Sequence, residues 1–178
     1  MAVALLTRVR VPLGFVCAVV VFWLAEPTQT TVVAGAAIAA VGELVRFWAA
    51  GHINKSREVT ASGPYRWLAH PLYAGSSVMG AGLAVASGRG VVAAIVAAYL
   101  ALTLTAAIKS EEASLRRAFG NRYDRYRDAD IVDAGRRFSL SRAIVNREHH
   151  AVIGLALAIL LLALKATYNG LFWRSAGH

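Results

Sequence analysis

Five apolar stretches, at roughly 11–25, 30–50, 72–87, 91–108 and 150–168, leave this chain few ways to fold. A helix needs about 20 apolar residues to cross about 30 Å of hydrocarbon. Polar residues do not interrupt these stretches at the period expected of an element lying against water. With 57% hydrophobic and only 16% charged residues, the solvent for much of the chain is lipid. The sequence reads as all-α: one integral membrane domain over residues 1–178, a polytopic bundle of about five transmembrane helices. The first and third stretches are short, so tilt, local thinning or a helix start in the headgroup layer must make up the difference. Glu26-Pro27-Thr28 and Ser87-Gly88-Arg89-Gly90 supply the Pro and Gly chemistry of tight connections.

Charge gives the topology. The net charge is +9, which in a soluble protein would suggest nucleic acid. Here 15 of the 19 Lys and Arg fall before the first stretch, in 51–71 or in 109–149. That alternation is the positive-inside pattern, and it suits contact with anionic headgroups. It predicts a protein of the cytoplasmic membrane, its N-terminus cytoplasmic and its C-terminus outside. No base-stacking module accompanies the charge, so nucleic acid is excluded as a partner. Arg8 and Arg10 ahead of an apolar stretch resemble a secretory signal, but Trp23-Leu24-Ala25 is no small-x-small cleavage site, which predicts an uncleaved anchor. The lone Cys17 is read as a small apolar packing residue. His52, His149 and His150 lack ligand partners at metal spacing, which argues against a metal site.

Two polar, aromatic-rich blocks stand at the ends of membrane-length segments. The first is Gly63-Pro64-Tyr65-Arg66-Trp67-Leu68-Ala69-His70-Pro71-Leu72-Tyr73-Ala74-Gly75. Pro71 fits the first turn of the third helix and biases His70 to an extended form, which aims His70 from a helix start where an anionic group is welcome. The second is Glu111-Glu112-Ala113-Ser114-Leu115-Arg116-Arg117-Ala118-Phe119-Gly120-Asn121-Arg122-Tyr123-Asp124-Arg125-Tyr126. Its pattern predicts a fourth helix continuing to Phe119, a stop at Gly120 and a short interfacial helix from Asn121. An acid at an apolar boundary costs roughly 2–3 kcal/mol, so the adjacent Glu111 and Glu112 ask for a reason. A cationic ligand, sulfonium or ammonium, would relieve their repulsion; pairing with Lys109 and Arg116 is the plain alternative. Glu43 and Arg46 lie at i,i+3 inside the second stretch, candidates either for function or for a mutual pair. Gly80-Ala81-Gly82 suits helix packing or a ligand lying against bare backbone.

Together these residues resemble the isoprenylcysteine carboxyl methyltransferase family and the related phospholipid N-methyltransferases. Gly63-Pro64-Tyr65-Arg66 and His70-Pro71-Leu72-Tyr73-Ala74-Gly75 are similar to one family signature. Glu111-Glu112-x-x-Leu115-x-x-x-Phe119-Gly120-x-x-Tyr123-x-x-Tyr126 is similar to the second, and Arg46-Phe47-Trp48-Ala49 with Lys55 to the lead-in. The likeness covers about residues 43–126.

It implies an integral membrane methyltransferase with a cytoplasmic pocket for S-adenosylmethionine beneath a lateral opening for a lipophilic, isoprenoid or lipid acceptor. Tyr65, His70, Leu72, Tyr73, Gly80, Gly82, Glu111 and Glu112 would then be cofactor-pocket residues. Glu112 is the expected orienter or base on the acceptor side, with Arg46 as its electrostatic partner. Two positions depart from the pattern. Ala69 replaces an Arg, and Ala107 and Ile108 stand where carboxyl methyltransferases carry an Arg to grip the acceptor carboxylate. Carboxyl O-methylation is still ranked ahead of amine N-methylation. The competing expectation is a non-enzymatic membrane scaffold whose basic loops bind anionic lipid or a protein partner.

Overall fold

A computed structural model describes residues 2–54, 58–128 and 136–168. Lys55, Arg57 and the tail beyond residue 168 lie outside the described residues, as do the side chains of Arg8, Arg10, Arg122 and Arg127. Among the described residues seven α-helices follow in order: α1 (Ala2–Leu24), α2 (Gln29–Ala50), α3 (Pro71–Ala86), α4 (Gly90–Phe119), α5 (Asn121–Arg127), α6 (Leu140–Val145) and α7 (Glu148–Tyr168). A single 3-10 turn, Gly63–Arg66, precedes α3, and no strand occurs among the described residues. The architecture is the helical membrane bundle expected from the apolar stretches.

Helices α2, α4 and α7 are each long and apolar enough to cross a membrane. The apolar parts of α1 and α3 are shorter, Pro12–Leu24 and Pro71–Ala86. At 1.5 Å per residue, α3 is only about 24 Å long and α4 about 45 Å. The excess length of α4 carries Glu111 and Glu112 beyond its apolar part. Gly120 ends that helix with φ +49°, a conformation glycine adopts without a Cβ penalty, and α5 starts at once. The predicted stop and the predicted short helix are both in place.

The closest pairing is α2 against an antiparallel α3, and glycine makes it possible. A Cβ on Gly42 would lie 2.6 Å from the Gly75 carbonyl, and one on Gly82 would lie 2.6 Å from the Gly35 carbonyl. Small residues let lipid-solvated helices approach backbone to backbone. Around this pair, α4 covers one side of α3 and also contacts α1, while α7 covers α2. At the end remote from the two polar blocks, Ala25, Val32, Ala86, Leu162 and Ala166 form a small apolar cluster. There Glu26 pairs with Arg89, and the Lys165 ammonium donates to the carbonyls of Phe22 (2.6 Å) and Trp23 (2.9 Å). Cations at a helix C-terminus satisfy carbonyls that the helix itself leaves open.

Candidate functional site

The start of α3 and the end of α4's apolar part meet at one histidine. Pro71 opens α3, and His70 is its N-cap residue. The imidazole Nε2 lies 3.2 Å from Glu112 Oε1, and Nδ1 lies 4.0 Å from Glu111 Oε2. Each ring nitrogen thus faces a carboxylate. The sequence aimed His70 at an anionic ligand group; the fold gives its ring to two anions instead. Arg116 approaches Glu112 at 3.9 Å, but its Nε lies 3.1 Å from Asp124 in α5, so its charge is divided.

On the polar side of His70 is a cavity of about 300 Å³. The loop ahead of α3 supplies Glu58, Tyr65 and His70, and α4–α5 supplies Glu111, Phe119 and Tyr126. The Tyr126 hydroxyl donates to the Tyr65 carbonyl at 2.8 Å, tying α5 to the 3-10 turn. Tyr65 itself is 7% exposed, and its buried hydroxyl has no hydrogen-bond partner among the described residues. Burial, then the charge of Glu111, push its phenol well above the ordinary range. Its proton therefore stays on, ready to be donated to a ligand. A buried orphan donor, two carboxylates and several aromatic faces fit a ligand with a cationic centre and polar ends.

On the apolar side lies a groove of about 1130 Å³ between α3 and α4. It runs the length of α3, from Leu68 and Tyr73 near His70 to Gly88 and Arg89 at the opposite end. Its walls are small and apolar: Ala81, Ala84, Val96, Ala97, Leu100 and Leu104. Ala69 and His70 line both the groove and the polar cavity. The two spaces meet at that histidine.

The remaining sequence-selected residues sit elsewhere. Tyr73 lines the groove, its ring 5.8 Å from that of His70. Leu72 lines neither space; its carbonyl accepts from the Ser76 hydroxyl at 2.8 Å. Gly82 packs on α2, and a Cβ on Gly80 would meet Leu100 of α4 at 2.5 Å. Both glycines pack against neighbouring helices, one of the uses their spacing allowed, and neither lines the groove or the polar cavity.

Arg46 is at the centre of a buried charge cluster on the opposite side of α3. Its Nε lies 2.7 Å from Glu148 of α7 and 3.5 Å from Glu43, while Nη1 donates to the Ser76 hydroxyl. The contact with Glu148 is ionic, too bent to count as a hydrogen bond. Glu148 and Glu58 were not singled out in the sequence. A carboxylate at the very start of an apolar stretch was the one signal that Glu148 offered. Arg46→Ala leaves two buried carboxylates with no cation, and is expected to destabilise the fold by about 3–5 kcal/mol. Thermal unfolding in detergent checks this, with Arg46→Lys falling between the two.

The sequence model of the family described as phospholipid methyltransferase matches residues 9–122. That span holds His70, both glutamates and the lining of both cavities except Tyr123 and Tyr126. The chain belongs to the phospholipid methyltransferase family. The three long apolar helices among the described residues fit an integral membrane protein of that family. A relative, the nickel-cobalt-cadmium resistance protein NccN of Alcaligenes xylosoxydans xylosoxydans, is 36% identical over 99 residues. The match takes in 54% of this chain and 45% of that relative, so the chain spans less than half of its length. No solved structure matches.

Proposed function

We propose that the protein transfers a methyl group from S-adenosylmethionine to a lipophilic acceptor whose tail lies in the α3–α4 groove. The observation that carries this reading is the meeting of polar cavity and apolar groove at His70. A water-soluble donor enters one space and a lipid-borne acceptor the other, so their reacting ends converge. When bound, the donor supplies an electrophilic methyl on a sulfonium. Transfer then depends mainly on orientation and exclusion of water. Glu111 and the aromatic rings favour the sulfonium; Tyr65 donates its phenolic hydrogen to a polar end of the donor.

An amine acceptor fits the junction better than a carboxylate, reversing the order taken from the sequence. A carboxylate would meet Glu111 and Glu112, with Ala69 and Ile108 where a gripping cation is needed. An ammonium is attracted by the same pair. It must lose a proton before it can attack, and that calls for a base. With the Nε2 hydrogen donated to Glu112, Nδ1 of His70 is free to take that proton. By the positive-inside pattern the polar cavity faces the cytoplasm. The metal resistance in the relative's name is not carried over to this chain. Among the described residues no group of three His, Cys, Asp or Glu stands close enough to hold a metal ion.

Calorimetric titration of the purified full chain with S-adenosylhomocysteine tests the donor claim. Saturable binding is expected, and no heat at millimolar ligand sinks it. The groove has its own test. Ala97→Trp fills the groove and should cut methyl incorporation into lipid about tenfold or more, with S-adenosylhomocysteine binding unchanged. The scaffold alternative ranks variants oppositely: charge reversal at Arg116, Arg117 and Arg125 would abolish function and Ala97→Trp would not.

A further inference from the structure

The stretch from Arg136 to Glu148 follows the family match and turns its polar groups toward one target, the C-terminal end of α2. The Ser139 amide and the Arg142 Nε both donate to the Gly51 carbonyl, at 3.1 and 2.8 Å. The Asn146 amide donates to the carbonyls of Ala50 at 2.8 Å and Ile53 at 3.1 Å. Arg136 reaches the His52 carbonyl at 3.4 Å and forms an ion pair with Glu58. The Phe138 ring closes the arrangement, 5.8 Å from Phe47 and 6.1 Å from His52.

A helix leaves its last four carbonyls unsatisfied, and cations are favoured beside them. In most helices water or a local turn does this work. At α2 the carbonyls of Phe47, Trp48 and Ala49 are met locally, by the following amides and the His52 ring, and a separate segment, distant in sequence, takes those of Ala50 and Gly51. The chain leaving α2 then becomes a wall of the polar cavity, since Ile53, Glu58 and Tyr65 all line it. The same segment therefore holds both the root of that wall and, through Arg136, a point along it.

We infer that residues 136–148 are a clasp for the donor cavity, in which Arg142 and Asn146 position the end of α2 and Arg136 positions Glu58. This rests on the donor reading above. None of the three residues lines the cavity, so each acts through α2 or Glu58 rather than by touching the donor. Donor affinity in this protein thus depends on residues beyond the span that defines its family.

Titration of the full chain in nanodiscs with S-adenosylhomocysteine tests it, using Asn146→Ala, Arg142→Met, Arg142→Lys and the Arg136→Gln, Glu58→Gln pair. Asn146→Ala and Arg142→Met should each weaken binding by about tenfold, the effect of a lost hydrogen bond to a buried carbonyl. Arg142→Lys should restore affinity to within about twofold, because a lysine also donates to the Gly51 carbonyl. The Arg136→Gln, Glu58→Gln double variant should bind no more weakly than Arg136→Gln alone, since that change has already removed the contact with Glu58. This pair lies at the half-exposed end of the clasp and keeps the test open if a variant at 142 or 146 fails to fold. Unchanged affinity, equal loss in Arg142→Lys and Arg142→Met, or additive losses at 136 and 58 each overturn the clasp. A wild-type protein that binds no S-adenosylhomocysteine overturns the donor reading and the clasp with it.

Discussion

Glu112→Gln is expected to lower methyl incorporation by 100-fold or more, within the roughly 10²–10⁴ range for a lost acid–base contribution. Glu112 does not line the donor cavity, whereas Glu111 and His70 do. S-adenosylhomocysteine affinity should therefore stay within about twofold, an indirect contact being worth little to a ligand it does not touch. The loss comes from His70. A carboxylate 3.2 Å from Nε2 orients the ring and selects the tautomer that leaves Nδ1 as the acceptor. A glutamine can hold the ring through either its donor or its acceptor end, so the tautomer is no longer selected although the ring is not moved. His70→Ala should be at least as severe and should also perturb donor binding, since its ring lines both spaces. Methyl transfer from labelled S-adenosylmethionine into lipid extracts of membranes carrying each variant measures both. Wild-type activity in Glu112→Gln would remove the pair from the chemistry.

The second large effect is on the fold. Gly42→Val should abolish the folded protein or destabilise it beyond the about 1–3 kcal/mol usual for overpacking. A Cβ there meets backbone, the Gly75 carbonyl at 2.6 Å, and backbone cannot swing aside as a side chain does. Gly82→Val meets the Gly35 carbonyl at the same distance and should behave alike. Gly90→Val is the control, because nothing lies within 4 Å of a Cβ at that position. Yield and thermal midpoint in detergent separate the three. Equal stability of Gly42→Val and Gly90→Val would mean that α2 and α3 do not pack as described.

Periodicity and composition carried the helices well because lipid leaves few ways to satisfy a backbone. Even the end of α4 at Gly120 was legible, since a glycine ahead of Asn121-Arg122-Tyr123 has a recognised physical use. The meeting of His70 with Glu112 was not legible as a contact. It depends on how far α4 runs past its apolar part, which hydropathy alone does not set. Gly80 and Gly82 illustrate the opposite problem: one spacing serves packing and ligand approach equally, and only the neighbouring helix decides. The glycines that matter most for α2 and α3 sit seven apart on each, at 35 and 42 and at 75 and 82. That repeat was present in the sequence but gains meaning only when two helices are set side by side. Glu58 and the clasp had no local signature, because their partners lie more than 75 residues away.

The two spaces that share His70 are lined by different elements, one by the polar loops with α4 and α5, the other by α3 and α4. On the proposed reading, spent donor can leave the polar cavity while the acceptor stays seated in the groove. The reaction then need not follow a fixed order of release. An acceptor nitrogen with more than one replaceable hydrogen can be visited by several donors in turn during a single residence in the groove. Distributive release of singly modified lipid would demand that the tail, with the greater buried length, depart faster than a small molecule exposed to water. On the proposed reading the architecture instead favours repeated turnover on one captive molecule.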